Sequence, residues 1–282
     1  MLLSLHGGHS RKFCNHASGD LEAMIIKYIE LGFTHVGICE HIPPYADHLR
    51  YDDEKESGLS AEVIFSRFES YIAECGILKE KYRNHIKIFK GFETETYSGY
   101  EKYIPALVRK FRPDYIVGSV HHINDLCFDS SPGAYSDTVE SCGGIIDFYN
   151  QYFDLQYEML LNIKPQVAGH FDLARIFDPD YENHIKESGI KKRISRNLQL
   201  IKDYGIIIDY NQRALLKNMK EPYPCREILE EAVDLGIRIV PGDDSHSEDD
   251  VGFKINEGMD FLINQGVVFS DEIFSNFFKK SV

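Results

Sequence analysis

Short apolar runs alternate with longer helical patterns along almost the whole of this sequence. About seven of the apolar runs are rich in β-branched residues, and each is followed by a segment with apolar residues at helical spacing. Such alternation predicts a parallel sheet with helices packed outside it, which is an α/β fold. At 282 residues, one closed or distorted (β/α) barrel over 1–282 fits better than two domains. The strand-like runs are LLSL, THVGICE, IKIFKGFETE, DYIVGSV, QVAGHFDLA, GIIIDYN and GIRIVPGDD.

The helical patterns cover seven segments between and after these runs. A first helix lies within 18–33, with Ser18 as its candidate N-cap and Gly32 as its end. A second pattern, over 137–163, is predicted as one long helix with Gly143–Gly144 as a candidate kink. The remaining helices are predicted near 60–82, 98–111, 184–204, 224–236 and 248–264.

The charge of the chain restricts its partners. The formal net charge is −14, from 31 Lys and Arg against 45 Asp and Glu. Binding to a nucleic-acid backbone needs clustered basic residues, so no nucleic-acid partner is expected. A small anionic substrate remains compatible with this charge, because metal ions in a pocket supply their own positive charge.

Neither a membrane nor an oxidising compartment is indicated. No run approaches the ~18 uncharged apolar residues of a membrane span, and the N-terminus lacks the features of a signal peptide. The six cysteines form no CxxC pair, so neither a zinc ribbon nor a thioredoxin-like site is predicted. We expect a cytoplasmic protein with reduced thiols, and the sequence leaves its oligomeric state open.

Polar side chains follow the end of every predicted strand. In α/β barrels, functional groups gather at the carboxyl ends of the strands, so these side chains are expected to share one rim. Eight of the 12 histidines belong to this set. Its members are His6, His9, His16, Glu40, His41, Glu93, Glu95, His121, His122, His170, Asp172, Asn211, Arg213, Asp243, Asp244 and His246.

This set predicts a site for more than one transition-metal ion. Imidazoles bind Zn²⁺, Mn²⁺ or Fe, and carboxylates bridge pairs of ions. No cysteine follows the same pattern, so a Cys-rich structural zinc site is not expected. Between His6 and His9, Gly7 and Gly8 permit the sharp turn that would direct both rings at one ion. Three pairs each leave two candidates for one role: His121 or His122, Glu93 or Glu95, and Asp243 or Asp244.

Seven motifs spread over residues 6–252 resemble those of the polymerase and histidinol phosphatase (PHP) family of metal-dependent phosphoesterases, in its histidinol-phosphatase branch. The resemblance implies a distorted (β/α)7, TIM-like barrel. It also implies hydrolysis of the monoester L-histidinol phosphate, a step of histidine biosynthesis. The motifs are HGGHSRKFCNHASGD, ICEHIPP, GFETE, IVGSVHHI, AGHFDLAR, EPYP and GDDSHSEDDVG, in this order.

The same resemblance implies two or three divalent ions and their ligands. The GFE and GSVH motifs favour Glu93 over Glu95 and His121 over His122. The first motif departs from the family, because it reads H-x-x-H here instead of H-x-H. The first ion would be held by His6, His9, Glu93 and Asp244, the second by His16, His41 and His246, and the third by Glu93, His121 and His170.

Basic residues near the predicted rim are candidates for binding the substrate phosphate. Arg175 and Arg213 carry planar guanidinium groups that match phosphate oxygens, and Lys217 is a further candidate. An ion pair of Arg175 with Asp178 or Asp180 is the alternative interpretation. The segment NQRALLKN also departs from the N-T-x-x-L-R-K that the family's phosphatase branch often shows here.

Two further roles stay open at this point. Asp244 or His246 could protonate the leaving alkoxide, although metal ligation competes with that role. Glu40 could bind the cationic groups of the substrate or support a ligand histidine from behind. Three alternative functions are a PHP-type nuclease or phosphoesterase acting on a nucleotide, a metal-binding module without catalysis, and a metal-dependent amidohydrolase.

Overall fold

Seven parallel strands form the central sheet of this computed structural model, which describes residues 2–269. In the order β1-β2-β3-β4-β7-β8-β9 each strand pairs with the next, and β5 pairs with β6 in a separate antiparallel hairpin. The strands are β1 Leu2–Ser4, β2 Phe33–His41, β3 Lys87–Glu93, β4 Tyr115–Gly118, β5 His122–Ile123, β6 Leu126–Cys127, β7 Val167–Ala168, β8 Ile207–Asn211 and β9 Ile239–Gly242.

The sheet curls until its two edge strands, β1 and β9, lie side by side. Just beyond these strands, the Asp244 N–H donates to the His6 carbonyl oxygen over 2.8 Å. The prediction of a distorted α/β barrel with about seven strands is therefore confirmed. Among the described residues, no helix is long and apolar enough to cross a membrane.

Eleven α-helices are present within residues 2–269, and most of them connect one strand with the next. Short 3-10 turns occupy Asp47–Leu49 and Leu173–Arg175. The helices are α1 Leu21–Glu30, α2 Asp52–Glu56, α3 Ala61–Lys81, α4 Tyr100–Phe111, α5 Pro132–Ser141, α6 Ile145–Ile163, α7 Tyr181–His184, α8 Ser188–Tyr204, α9 Arg213–Leu216, α10 Arg226–Asp234 and α11 Ile255–Asn264.

Several helix boundaries differ from the prediction. Asp20, not Ser18, caps α1, because its carboxylate accepts the N–H groups of Glu22 and Ala23. The single helix expected over 137–163 is wrong, since α5 and α6 are separated where Gly143 and Gly144 adopt φ angles of +94° and +118°. Helical φ angles are negative, so these two glycines end one helix and start another. The helix expected over 184–204 begins later, at Ser188 in α8, after the separate short helix α7, and α11 begins at Ile255 instead of near 248.

Apolar side chains fill the barrel below the rim. Each of the seven parallel strands contributes at least one buried residue to a single cluster, including Leu3, Cys39, Phe89, Tyr115, Val117, Val167, Ile207 and Val240. Because side chains alternate along a strand, the positions that follow on the same face also point into the barrel. Glu93 follows Phe89 and Gly91 on β3, and Asp209 follows Ile207 on β8. The apolar layer therefore forms the floor beneath these acidic groups.

A second apolar layer lies between the sheet and the surrounding helices. It includes Ile38 and Phe92 from the strands and Phe68, Tyr71 and Ile104 from the helices. The Tyr71 hydroxyl donates toward the Ile38 and Gly91 carbonyl oxygens, at 2.8 and 2.7 Å. This packing fixes β2 and β3, the two strands that carry His41 and Glu93 at their carboxyl ends.

Candidate metal centre

The nine side chains predicted as metal ligands lie together at the carboxyl end of the barrel. They come from the segments that end or follow β1, β2, β3, β4, β7 and β9. The ring of His9 lies 4.3 Å from that of His246 and 4.7 Å from that of His41, measured between centroids. The His170 ring lies 5.0 Å from His121 and 5.4 Å from His6. Residues separated by up to 240 positions in the sequence thus form one cluster.

The turn after β1 directs two histidines at the same carboxylates. Gly8 has a φ of +84°, and a Cβ there would lie 2.7 Å from a methyl group of Ile38. Only glycine fits this conformation and this space. On the two sides of the turn, Nε2 of His6 and Nε2 of His9 lie 3.1 and 3.6 Å from Oε2 of Glu93. Both rings are buried, as an ion shared between them would require.

Glu93 occupies the middle of the cluster, and its two oxygens face different histidines. Oε2 faces His6 and His9, whereas Oε1 lies 3.0 Å from Nε2 of His170 and 3.4 Å from Nε2 of His121. Two ligand atoms on one ion, each about 2.0–2.2 Å from it, lie about 3 Å apart. Each oxygen of Glu93 thus faces one pair of histidines, which is the arrangement expected of a carboxylate that bridges two ions.

The other nitrogen of most of these rings has a partner behind the cluster. His6 Nδ1 donates to Asp209 over 2.7 Å, and His41 and His121 donate through Nδ1 to Glu95 over 2.8 and 3.0 Å. The Nδ1 of His246 lies 2.9 Å from the backbone oxygen of Asp244. A hydrogen bond at Nδ1 fixes the tautomer and leaves the Nε2 lone pair free to bind a metal ion. Gly242 leaves the space that Asp209 occupies, because a Cβ at residue 242 would lie 1.9 Å from Oδ1 of Asp209.

The same geometry distinguishes between the paired candidates. Glu95 accepts hydrogen bonds from the Nδ1 side of the cluster, whereas Glu93 faces Nε2 atoms. His121 Nε2 lies 3.2 Å from Nε2 of His170, but His122 turns its Nδ1 to Glu95 at 3.0 Å. These contacts favour Glu93 and His121, which are the residues that the motifs favour.

Asp243 and Asp244 have separate roles. Asp243 is buried behind the cluster. There its carboxylate accepts hydrogen bonds from Ser4 Oγ over 2.7 Å, from Tyr28 Oη over 2.8 Å and from Gly252 N over 2.7 Å. Asp244 Oδ1 instead lies 3.5 Å from Nε2 of His9 and 3.8 Å from Nε2 of His6. The structure thus favours Asp244 as the ligand.

His16 and Cys14 complete the side of the cluster nearest the solvent. The His16 side chain is 39% exposed, and its ring lies 5.4 Å from that of His41 and 5.2 Å from that of His246. Cys14 Sγ lies 3.1 Å from His16 Nε2 and belongs to a group of candidate donor atoms with His9, His41 and His246. Cys14 precedes His16 in a turn and not at a strand end, so it lies beside the cluster although it does not follow the strand-end pattern.

The electrostatics of the cluster suit metal binding. Burial raises the pKa of Glu93 and of Asp244, but the neighbouring histidines, His6 foremost, outweigh it, and both pKa values lie well below the usual range. Burial, together with neighbouring cationic groups, lowers the pKa of His9 and of His246 well below the usual value. The carboxylates are thus ionised and the imidazoles of His9 and His246 neutral, which are the forms that bind metals. This argues against Asp244 or His246 as the proton donor at neutral pH. In contrast, although burial lowers them, the pKa values of His6 and His121 are raised well above the usual value by the nearby carboxylates, so these two rings must lose a proton when an ion binds.

Several buried polar atoms of the cluster have no hydrogen-bond partner among residues 2–269. Burial of an unsatisfied polar atom costs about 1–3 kcal/mol, so such atoms are uncommon. The unpartnered atoms next to Glu93 include His6 Nε2 and both ring nitrogens of His9. A divalent ion would satisfy each Nε2 lone pair. The chemistry of the donors, mainly imidazole and carboxylate, fits Zn²⁺, Mn²⁺ or Fe.

The predicted substrate-binding residues do not all lie at the mouth of the barrel. Arg213 is partly buried, and its Nη1 donates to the Asp244 backbone oxygen over 3.0 Å and to Asp250 over 3.3 Å. Lys217 is exposed, and its charge helps to lower the pKa of Asp129, which burial alone would raise. Both cations therefore lie near the mouth of the barrel.

Arg175 is fully buried behind His170. Its Nε donates to Asp172 over 2.8 Å, so the expected alternative partners Asp178 and Asp180 are wrong. The guanidinium stacks on the ring of Tyr223, with its central carbon 4.5 Å from the ring centroid. Nη1 has no hydrogen-bond partner among the described residues, which leaves one donor for a further acceptor.

Glu40 lies behind His9 and not in the open mouth. It is 2% exposed, it accepts from the Ser10 N–H over 2.8 Å, and its Oε2 lies 3.6 Å from His9 Nδ1. Burial raises the pKa of Glu40 to about 8, against the opposing effect of the Ser10 hydrogen bond. This position favours support of His9 over contact with the substrate.

Sequence reasoning missed three contributors to the cluster. Asp209 lies inside β8, and Tyr51, whose hydroxyl donates to Glu95 over 2.7 Å, lies in a loop far from any strand end. The alternation IIIDYN gave a signal for Asp209, because an acidic residue interrupts an apolar strand. Cys14 and Tyr51 gave none.

Fold and site together define an α/β-barrel protein with a candidate centre for several metal ions at the carboxyl end of its strands. The family model described as PHP domain matches residues 6–213. The chain belongs to the PHP domain family.

Relatives and solved structures agree with this membership. A Schizosaccharomyces pombe protein named "Probable histidinol-phosphatase" is 32% identical over 271 residues, which cover 95% of this chain and 88% of the relative. The crystal structure of Listeria monocytogenes HisK has a TM-score of 0.79 and 26% identity, and the match covers 89% of this chain and 98% of HisK.

A third match extends the structural similarity. Lactococcus lactis histidinol phosphate phosphatase was crystallised in complex with zinc, L-histidinol and phosphate. Its TM-score is 0.72 at 18% identity, and the match covers 95% of this chain and 94% of that one. This likeness establishes the shared fold.

Proposed function

We propose that this protein is a metal-dependent phosphomonoesterase that hydrolyses L-histidinol phosphate to L-histidinol and phosphate, a step of histidine biosynthesis. The observation that carries the proposal is the position of Glu93, whose two oxygens face two separate pairs of histidine Nε2 atoms. The names of the relatives supply the substrate, because each relative described above carries a name or title related to histidinol phosphatase.

The proposed ligand sets are those expected from the motifs, for two or three divalent ions. When bound, such ions supply Lewis acidity, which lowers the pKa of a water nucleophile and offsets the charge on the phosphoryl oxygens. Zinc is the first candidate, and manganese and iron fit the same donors. The ligands are His6, His9, His16, His41, Glu93, His121, His170, Asp244 and His246.

The side chains of the protein bind and orient the phosphate group. Arg213 is held at the mouth by the Asp244 backbone oxygen and by Asp250, and its remaining N–H groups are available to phosphoryl oxygens. Lys217 adds an exposed positive charge at the surface. Arg175 stays a candidate through its unpartnered Nη1, although its guanidinium is fully buried against the ring of Tyr223.

The reaction breaks the bond between phosphorus and the ester oxygen and forms a new bond between phosphorus and the oxygen of water. The departing alkoxide takes up one proton. Because metal ligation by Asp244 and His246 competes with proton donation, we assign this proton to solvent water at the mouth of the barrel. Both residues then serve as ligands only.

Steady-state kinetics test this proposal directly. The rate with histidinol phosphate should exceed the rates with a panel of other phosphomonoesters and with single-stranded DNA ends. Elemental analysis of the same sample should give at least two divalent ions per chain. Equal rates on all monoesters would remove the substrate assignment, and a preference for DNA ends would favour the nuclease alternative.

A further inference from the structure

Glu95 lies behind the metal-binding face of the cluster and accepts hydrogen bonds from four side chains. His41 Nδ1 and Tyr51 Oη donate to Oε1 over 2.8 and 2.7 Å. His121 Nδ1 and His122 Nδ1 lie 3.0 Å from Oε2. The carboxylate is 1% exposed, so these side chains replace its water shell.

Four donors use the full capacity of an ionised carboxylate. Its two oxygens offer about four lone-pair positions, and each of them has a donor here. The acceptor positions of the Glu95 carboxylate are thus all directed at neighbouring side chains.

The two ligand histidines bound to Glu95 belong to different proposed ions. His41 is assigned to the second ion and His121 to the third, and their ring centroids are 5.2 Å apart. Each ring uses Nδ1 for the bond to Glu95, which leaves Nε2 for the metal. In contrast, Asp209 receives one ligand histidine only, His6 of the first ion.

We propose that Glu95 is a positioning residue that orients His41 and His121 together, so that the affinities of the second and third ions depend on one shared carboxylate. This inference rests on the metal centre of the proposed function. Loss of a hydrogen-bonding partner behind a ligand histidine costs about 10–100-fold in metal affinity. Because Glu95 supports two such histidines, one substitution should weaken two ions.

The alternative role for Glu95 is direct metal ligation. Its carboxylate also belongs to a group of possible donor atoms with His41 and His121. In that role, Glu95 would bind a single ion together with the Nδ1 atoms of His41 and His121. The two roles therefore differ in the number of ions that a substitution affects and in the histidine nitrogen that carries the proton.

The variant Glu95→Gln tests the shared role, because it keeps the size of the side chain and replaces one acceptor oxygen by an NH2 donor. That NH2 group cannot accept the Nδ1–H of one ring, and the neutral amide oxygen that remains is a weaker acceptor than a carboxylate for the Nδ1–H of the other. Zinc binding to the full-length chain should be measured by chelator competition and elemental analysis. The expected result is that two ions bind about 10–100-fold more weakly and that both sites still fill at high zinc concentration.

Asp209→Asn is the matched control, because it makes the same chemical change behind a single ligand histidine. It should weaken one ion and leave the other two at wild-type affinity. If Glu95→Gln weakens one ion only, or none, the shared role is overturned. The same holds if both variants weaken all ions equally. A wild-type chain that binds no divalent ion would instead overturn the proposed function itself.

A measurement on the wild-type protein covers the case in which Glu95→Gln does not fold. In zinc-loaded protein with 15N-labelled histidine, NMR should show His41 and His121 protonated at Nδ1 and metal-bound at Nε2. Single histidine-to-glutamine variants assign the two signals. Nε2 protonation of both rings would overturn the proposal.

Discussion

Substitution of Glu93 by glutamine is the most informative single change at the centre. It keeps the shape of the side chain but removes one negative charge and one of the two oxygens that face histidine pairs. Those oxygens lie 3.0–3.6 Å from four Nε2 atoms, so an ion held by either oxygen and its histidines would lie within about 4 Å of the carboxylate charge.

The size of the effect follows from this distance. Two unit charges 4 Å apart attract by about 4 kcal/mol at an effective dielectric constant of about 20. Since about 1.4 kcal/mol corresponds to a factor of ten in an equilibrium constant, Glu93→Gln should weaken the affinity for each bridged ion by about a thousandfold. The ions carry two charges, so this value is a lower bound.

Elemental analysis after dialysis against micromolar zinc measures this loss, and chelator competition gives the affinity. We expect at least one ion fewer per chain and a matching fall in phosphatase rate. Glu101→Gln, an exposed glutamate on α4, makes the same charge change outside the cluster and should bind zinc as the wild type does. Wild-type affinity in Glu93→Gln would refute the bridging role.

Further variants probe separate parts of the account. His170→Ala should lose the third ion and most of the turnover while circular dichroism stays unchanged, and retention of the wild-type rate would show that the ligand set is wrong. Arg213→Ala should raise KM for phosphomonoesters at least tenfold, with zinc content unchanged as the control. Gly8→Ala should lower the free energy of unfolding by about 1–3 kcal/mol in denaturant titrations, because it places a Cβ 2.7 Å from Ile38 at a φ of +84°. An unchanged denaturation midpoint would contradict this expected loss of stability. Glu54, whose pKa burial raises to about 7, binds a proton more tightly in the folded than in the unfolded chain, so its contribution to stability falls as pH rises from about 4.5 to 7. Urea titrations should therefore show Glu54→Gln to be more stable than the wild type by about 1–3 kcal/mol at pH 8 and equally stable at pH 4. The same gain in stability at both pH values would contradict the raised pKa of Glu54.

The parallel barrel and the gathering of the candidate residues on one rim could be predicted because both depend on simple periodicities. Buried parallel strands appear as continuous apolar runs, and the barrel places every strand end on one rim. The long helix α3 was also predicted within one residue at each end. Alternation along β3 even indicates that Glu93 and Glu95 share a face, although only the structure distinguishes their roles.

Local boundaries were harder to predict because they depend on single side chains and backbone angles. The cap of α1 depends on whether Ser18 or Asp20 reaches the first N–H groups. The break between α5 and α6 depends on two positive φ angles that glycine permits but does not require. Neither can be derived from hydrophobic spacing.

Residues behind the ligands were hard to identify for a different reason. Tyr51 and Cys14 reach the cluster through turns whose path is set by packing, and no sequence period connects them with β2 or β3. Arg175 shows the same limit, since its partner Asp172 precedes it by three residues, but Asp178, which follows it by three, and Asp180 were considered instead. Orientation of a side chain by its neighbours requires the three-dimensional arrangement.

The central claim is that imidazoles and carboxylates from distant segments bind a shared group of divalent ions. An anomalous-scattering map from crystals grown with zinc tests it most directly. We expect peaks about 2.0–2.2 Å from Nε2 of His6 and His170, with an oxygen of Glu93 bound at each. A map without peaks at the carboxyl end of the barrel, with these rings turned away from Glu93, would contradict it.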